Sequence, residues 1–228
     1  MTKKNSRYAE KNKIHHIGFH VIPKNGRQER LIRSISTYPI TVTIGCAGTG
    51  KTYCSAGTVA QIYQKTGRYN KIILTRANVP TGRSLGHFPG TIQEKMTPWL
   101  LPMLEVLQKA FGSDKFKYMV SKGEIEIQPI ETIRGRSYKD ALVLVDEAQN
   151  LSIDELKAIS TRLGENAKLV LMGDPAQSDV KNGQDLLRFC KLVQKAGIPL
   201  PVVEFSVDDI VRSDIVADLV RMFIAEKL

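Results

Sequence analysis

Apolar positions along the chain fall into two patterns. Short, nearly continuous apolar runs occur at Ile40-Thr-Val-Thr-Ile44, Lys71-Ile-Ile-Leu-Thr75, Ala141-Leu-Val-Leu-Val145 and Lys168-Leu-Val-Leu-Met172. They are too short for helices and rich in branched aliphatics, so they predict buried strands of a parallel sheet. Between them, helical spacing predicts helices over 28–36, where Leu31, Ile32 and Ile35 share one side, and over 51–65, stopped near Gly67. Further helices are predicted over 98–109, over 152–163 behind the capping-box spacing Ser152-Ile-Asp-Glu155, over Asp185–Lys195, and over 214–226. Weaker patterns predict a short strand at 17–22 before Pro23, a half-exposed strand at Glu124-Ile-Glu-Ile-Gln128, a late strand at 201–205, and a Gly- and Pro-containing loop at 80–90. Strands alternating with helices imply an α/β fold, a mostly parallel sheet with helices on both faces.

Composition narrows this picture. The chain has 228 residues, 42% hydrophobic and 25% charged, which suits one globular domain and excludes wholesale disorder. No apolar run approaches the ~20 residues of a membrane span, and the polar, basic beginning carries no signal-peptide pattern, so a cytoplasmic protein without a membrane partner is expected. Three scattered cysteines give neither a disulfide framework nor a zinc site, and Cys46 and Cys54 read as small packing residues. The net charge of +10 is uneven. Residues 1–33 hold nine Lys/Arg against two Glu, whereas residues 137–228 hold eleven Lys/Arg against fifteen Asp/Glu. Residues 1–14 are expected to be a basic flexible tail, either functionless or gripping a polyanion, ahead of one domain over 15–228.

The chemistry lies at three strand ends. Gly45-Cys-Ala-Gly-Thr-Gly-Lys-Thr52 fits the phosphate-loop pattern in full, between a predicted strand and a predicted helix. Gly45, Cys46, Ala47, Gly48, Thr49 and Gly50 would curl their N–H groups around phosphates at a helix N-terminus. Lys51 would reach the β/γ-phosphates, and the Thr52 hydroxyl would ligate Mg²⁺. A second strand ends in Asp146 and Glu147, suited to the metal shell and to a general base acting on water. A third ends in Gly173-Asp-Pro-Ala-Gln177, where Gln177 can feel the γ-phosphate and Asp174 can order the loop or help hold the metal's waters. Gln28, ahead of the loop, is either a reader of adenine or a plain surface residue. His15, His16 and His20 have no partner set for a metal, and Trp99 reads as a core or interface anchor.

These three segments resemble motifs I, II and III of superfamily 1 helicases. The wider pattern resembles the PhoH family of P-loop ATPases, on Leu74-Thr-Arg-Ala77, Leu85-Gly-His-Phe-Pro-Gly90, Lys95 with Pro98, Ile125-Glu-Ile-Gln-Pro129, Ile133-Arg-Gly-Arg136, Thr161-Arg-Leu-Gly164 and Asp209-Ile-Val-Arg212. The stretch runs from about residue 28 to 222. Ala77 and Cys46 stand where the family usually has Pro, and neither change removes a phosphate ligand. The resemblance implies a RecA-like core, ATP and Mg²⁺, ring oligomers and a role on RNA. Residues 1–33 hold only Glu10 and Glu29, too few acids for a metal-dependent nuclease.

One lobe leaves a question of charge. Superfamily 1 motors draw arginines from a second lobe, so a finger here must come from a neighbouring subunit or from elsewhere in the domain. Arg76, Arg134, Arg136, Arg162 and Arg212 are the candidates, in a head-to-tail ring expected to be hexameric. Arg83, His87 and Phe88 in the 81–90 loop can contact phosphates and stack on a base. The leading reading is an ATPase, helicase-like in type, acting on single-stranded nucleic acid, RNA more than DNA. The alternatives are a nucleotide-gated ring acting on protein partners and, less similar, a thymidine-kinase-like enzyme.

Overall fold

A computed structural model describes residues 18–77, 92–133, 137–177 and 184–226. Its strands are β1 (Ile40–Gly45), β2 (Lys71–Arg76), β3 (Ile125–Ile127), β4 (Ala141–Asp146), β5 (Lys168–Gly173) and β6 (Val202–Phe205). They form one sheet in the order β3-β2-β4-β5-β1-β6, and all the pairings are parallel. The helices are α1 (Gly26–Thr37), α2 (Lys51–Thr66), α3 (Ile92–Phe111), α4 (Ser113–Ser121), α5 (Ile130–Ile133), α6 (Ile153–Ser160), α7 (Asp185–Lys195) and α8 (Asp214–Ala225).

Each central strand buries both faces, which is why its sequence reads as a continuous apolar run. Leu142 and Leu144 of β4 point to a layer with Leu31, Val59, Leu100 and Met119 of α1 to α4. Val143 and Val145 point the other way, to Leu156 and Ile159 of α6 and Leu186 and Cys190 of α7. Burial pushes the Cys54 thiol up to about 12 and that of Cys190 to about 11, so both are packing groups. Among the described residues, no helix is long and apolar enough to cross a membrane.

Several boundaries differ from the sequence reading. Residues 18–22 form no strand. Val21 is instead an apolar anchor on α2: a Cβ on Gly57 would lie 2.4 Å from its Cγ2. Helix α3 runs from Ile92 through Pro98 and Pro102. Both prolines face solvent, where water can satisfy the carbonyls they leave free. Helix α6 stops at Ser160, because the chain turns to place Leu163 in a parallel bridge with Tyr138. The Ser152–Glu155 capping box is present as expected. Helix α4 escapes the sequence pattern, since it buries only Met119. The 80–90 loop lies outside the described residues.

Candidate functional site

Strand order decides where the three motifs meet. Placing β5 and β4 between β1 and β2 makes the carboxyl ends of these four strands contiguous. Ile44 pairs with Gly173, and Arg76 pairs with Asp146. The ends line a cavity of about 490 Å³ whose walls include Gly48, Lys51, Thr52, Arg76, Asp146, Glu147, Asp174, Gln177 and Arg212.

The loop between β1 and α2 is tightly held. Gly45 has φ +134°, and a Cβ there would lie 2.2 Å from the Phe205 carbonyl oxygen. Gly50, the residue before α2, has φ +85°, and its Cβ would lie 2.7 Å from Gln28 Nε2. Only glycine fits both constraints at each position. Buried Thr49 donates from Oγ1 to the Cys46 carbonyl at 3.0 Å. Lys51 Nζ donates to the carbonyls of Gly45 and Cys46 at 2.6 and 2.7 Å. Burial lowers its pKa, while Asp174, Cys46, Asp146 and Glu147 pull the other way. Burial also raises the Cys46 thiol, which donates to the Ser206 carbonyl at 3.5 Å.

Two carboxylates stand opposite. Asp146 is pushed above the usual carboxylate range by burial and by Glu147, against the pull of Arg76. Glu147 adopts φ 52° and ψ 37°, left-handed backbone that costs a non-glycine residue roughly 1–2 kcal/mol. Arg76 spans the pair, with one guanidinium nitrogen 3.0 Å from Glu147 Oε1 and the other 3.8 Å from Asp146 Oδ2. It also donates to the Trp99 carbonyl at 3.0 Å. Trp99 itself is 38% exposed, so it is no core residue.

Gln149 belongs to the strand-end motif Asp146-Glu-Ala-Gln-Asn150, in which the sequence assigns it no role. It is 1% exposed, donates from Nε2 to Glu147 Oε2 at 2.5 Å, and accepts from the Asp174 backbone N–H at 2.9 Å. It joins the ends of β4 and β5. Burial raises the Asp174 carboxyl, which accepts from the Ala176 N–H at 3.1 Å.

The other predicted residues fall at different places. Gln177 is exposed on the cavity rim. Arg212 lies over the loop: a Cβ on Gly48 would be 3.2 Å from its Cδ, and the Val211 N–H donates to the Gly48 carbonyl at 3.1 Å. Gln28 does not line the cavity as a reader of adenine would. It is 2% exposed and spends its amide on the Thr49 carbonyl at 2.9 Å and the Lys24 N–H at 2.8 Å, as a strut under the loop. The Arg162 carbonyl accepts from the Tyr138 N–H, in a turn beside the chain leading into β4, away from the cavity within this chain. Arg83, His87, Phe88, Arg134, Arg136, His15, His16 and the tail lie outside the described residues. Among the described residues, no cluster of His, Cys, Asp and Glu could cage a metal alone. An open set, the Thr52 hydroxyl with the Asp146 carboxylate, suits Mg²⁺ completed by phosphates and water.

The model of the PhoH-like protein family matches residues 20–224. The chain belongs to the PhoH-like family. A PhoH-like protein of Bacillus subtilis is 34% identical over 98% of this chain and 72% of its own length. A PhoH-like protein of Synechocystis is 35% identical over 84% of this chain and 62% of its own, and protein PhoH of Escherichia coli is 33% identical over 85% and 55%. The chain thus spans just over half to about three quarters of these relatives. Among solved structures, the large terminase of a thermophilic bacteriophage superposes with a TM-score of 0.57 at 12% identity, over 88% of this chain and 50% of that one. That likeness is one of fold. This member of the family is a RecA-like P-loop NTPase of a single α/β domain.

Proposed function

We propose that the chain is a Mg²⁺-dependent ATPase that works as a homo-oligomeric ring, expected to be hexameric, on single-stranded nucleic acid, with RNA preferred to DNA and a helicase-like action. The observation that carries the ATPase reading is the meeting of Lys51, Thr52, the Asp146–Glu147 pair and Gln177 around one cavity at the contiguous strand ends. A nucleotide loop alone serves binding. A carboxylate beside the metal-binding one adds a base for water.

In this reading the loop from Gly45 to Thr52 binds the phosphates with its N–H groups, and Lys51 leaves its carbonyl partners for the β/γ-phosphates. Thr52 and Asp146 hold Mg²⁺, which neutralises phosphate charge. Glu147 takes the proton of the attacking water, and Gln177 orients that water. Arg76 and Arg212, which line the cavity, stabilise the transferring phosphoryl group in this reading, and Arg134 and Arg136 are the candidates for reaching a neighbour. Residues 15–228 form the ATPase unit, with 1–14 as a basic arm for a polyanion.

ATP hydrolysis titrated with single-stranded RNA and DNA at two salt concentrations tests this. RNA should stimulate turnover most, and stimulation should weaken steeply with salt. No stimulation by any polynucleotide would favour a ring acting on protein partners. Light scattering with an ATP analogue should give a closed oligomer, and a monomer throughout would remove the ring.

A further inference from the structure

Helix α3 carries apolar residues on two sides, where packing within the domain needs one. Met96, Leu100, Met103 and Leu107 are fully buried in the layer with Ile72 and Leu142 of the sheet. On the opposite side Pro98, Leu101, Pro102 and Glu105 follow at i, i+3, i+4 and i+7, all exposed, with Trp99 exposed beside them. Apolar side chains gathered on a solvent-facing helix side mark a contact surface. This one runs into the cavity, because Pro102 and Glu105 form part of the wall. Arg76 fixes which end of the cavity that is. Its guanidinium reaches Glu147 at 3.0 Å and the Trp99 carbonyl at 3.0 Å. The exposed side of α3 therefore borders the Glu147 end, and Arg212 lies elsewhere, over Gly48.

Charge at this end is unbalanced. Asp146, Glu147 and Glu105 all line it, and the Arg76 guanidinium is taken up by the first two. Among the described residues Glu105 has neither a hydrogen bond nor an ion pair. A bare carboxylate on this wall repels a phosphoryl group bound nearby, unless a second cation stands between them.

Resting on the ring reading above, we infer that this side of α3 is the seat of a neighbouring copy, which places an arginine between Glu105 and the transferring phosphoryl group. The Glu105 carboxylate accepts hydrogen bonds from that guanidinium and aims it. Trp99, Leu101 and Pro102 supply the apolar contact that keeps water from it. Glu105 is thus a positioning residue, acting on the phosphate only through the arginine it holds. The occupant is a second copy because this chain has one lobe and its own Arg76 is committed. The contact is head-to-tail: a copy that receives an arginine on α3 gives its own to the next.

The chain has one tryptophan, so its emission reports this seat directly. With a non-hydrolysable ATP analogue, Trp99 emission of the full chain should shift to the blue as concentration rises, over the range in which light scattering shows assembly. Turnover of ATP per chain should rise over the same range. Trp99→Ala should raise the concentration of half-assembly about tenfold or more. Thermal unfolding of the dilute chain should stay where it is, because Arg76 bonds the Trp99 carbonyl and not the ring. Glu105→Gln should lower turnover of the assembled chain about 10²-fold. The dilute variant should bind the analogue at least as tightly as the unaltered chain, since a like charge has gone. Assembly without a change in Trp99 emission would overturn the seat and leave the ring standing. Glu105→Gln turning over at the unaltered rate would overturn the positioning of the arginine. A monomer at every concentration would remove the ring and the seat together.

Discussion

Glu147 and Asp174 are linked through one buried side chain: the Gln149 amide donates to Glu147 Oε2 at 2.5 Å, and its oxygen accepts the Asp174 N–H at 2.9 Å. Any movement of the proposed base is therefore felt at the end of β5, from which Gln177 hangs. The link is close-packed, since a Cβ on Gly173 would lie 2.9 Å from Gln149 Oε1. Replacing Gln149 by Ala leaves the buried Asp174 N–H without its acceptor, a cost of about 1–3 kcal/mol. Urea unfolding should show that loss. Steady-state kinetics should show kcat reduced more than KM is raised, because ground-state phosphate contacts lie elsewhere.

The phosphate loop should be more sensitive to methyl groups than other glycine turns. Gly45 and Gly67 both have positive φ, but a Cβ at Gly45 meets the Phe205 carbonyl at 2.2 Å, whereas at Gly67 nothing lies within 4 Å. Gly67→Ala should cost about 1 kcal/mol from backbone strain alone. Gly45→Ala should cost several times that, since β6 must move. Thermal unfolding of the two variants measures the difference.

The acid pair should be electrostatically costly without ligand. Burial and Glu147 raise the Asp146 pKa above its unfolded value. A carboxyl raised in this way favours the fold most when protonated, and that contribution is lost as pH rises through the folded-state pKa. Asp146→Asn should therefore be more stable than the unaltered chain at neutral pH, with the gap closing as pH falls into the ordinary carboxylate range. Chemical denaturation across that range would show it, and a gap that widened toward acid would contradict the burial argument.

Arg76 should matter to turnover more than to folding. Its guanidinium reaches Glu147, Asp146 and the Trp99 carbonyl together. Arg76→Lys keeps the charge but not this planar fork. If Arg76 acts as the charge-stabilising arginine within the chain, Arg76→Ala should lower single-turnover hydrolysis on the order of 10³-fold, with a smaller loss of stability at neutral pH because the half-buried Asp146–Glu147 pair loses the cation that spans it.

Much of this site was legible in the sequence because parallel strands bury both faces. Four apolar runs ending in Gly45, Arg76, Asp146 and Gly173 mark both the strands and the points where chemistry must gather. What was not legible depends on tertiary contact. A glutamine ahead of the loop looks the same whether it reads a base or, as Gln28 does, props Thr49. Gln149 stands in the motif that follows β4, but its link to Asp174 shows only when β4 and β5 lie side by side. Pro98 resembles a helix start, yet it sits within α3 because its side faces water.

Glu147→Gln tests the central claim most directly. The change keeps shape and removes the base at the strand end. ATP binding should persist while hydrolysis falls about 10²–10⁴-fold. Hydrolysis at the rate of the unaltered chain would show that Glu147 does not activate the water and that the cavity at the strand ends does not work as proposed.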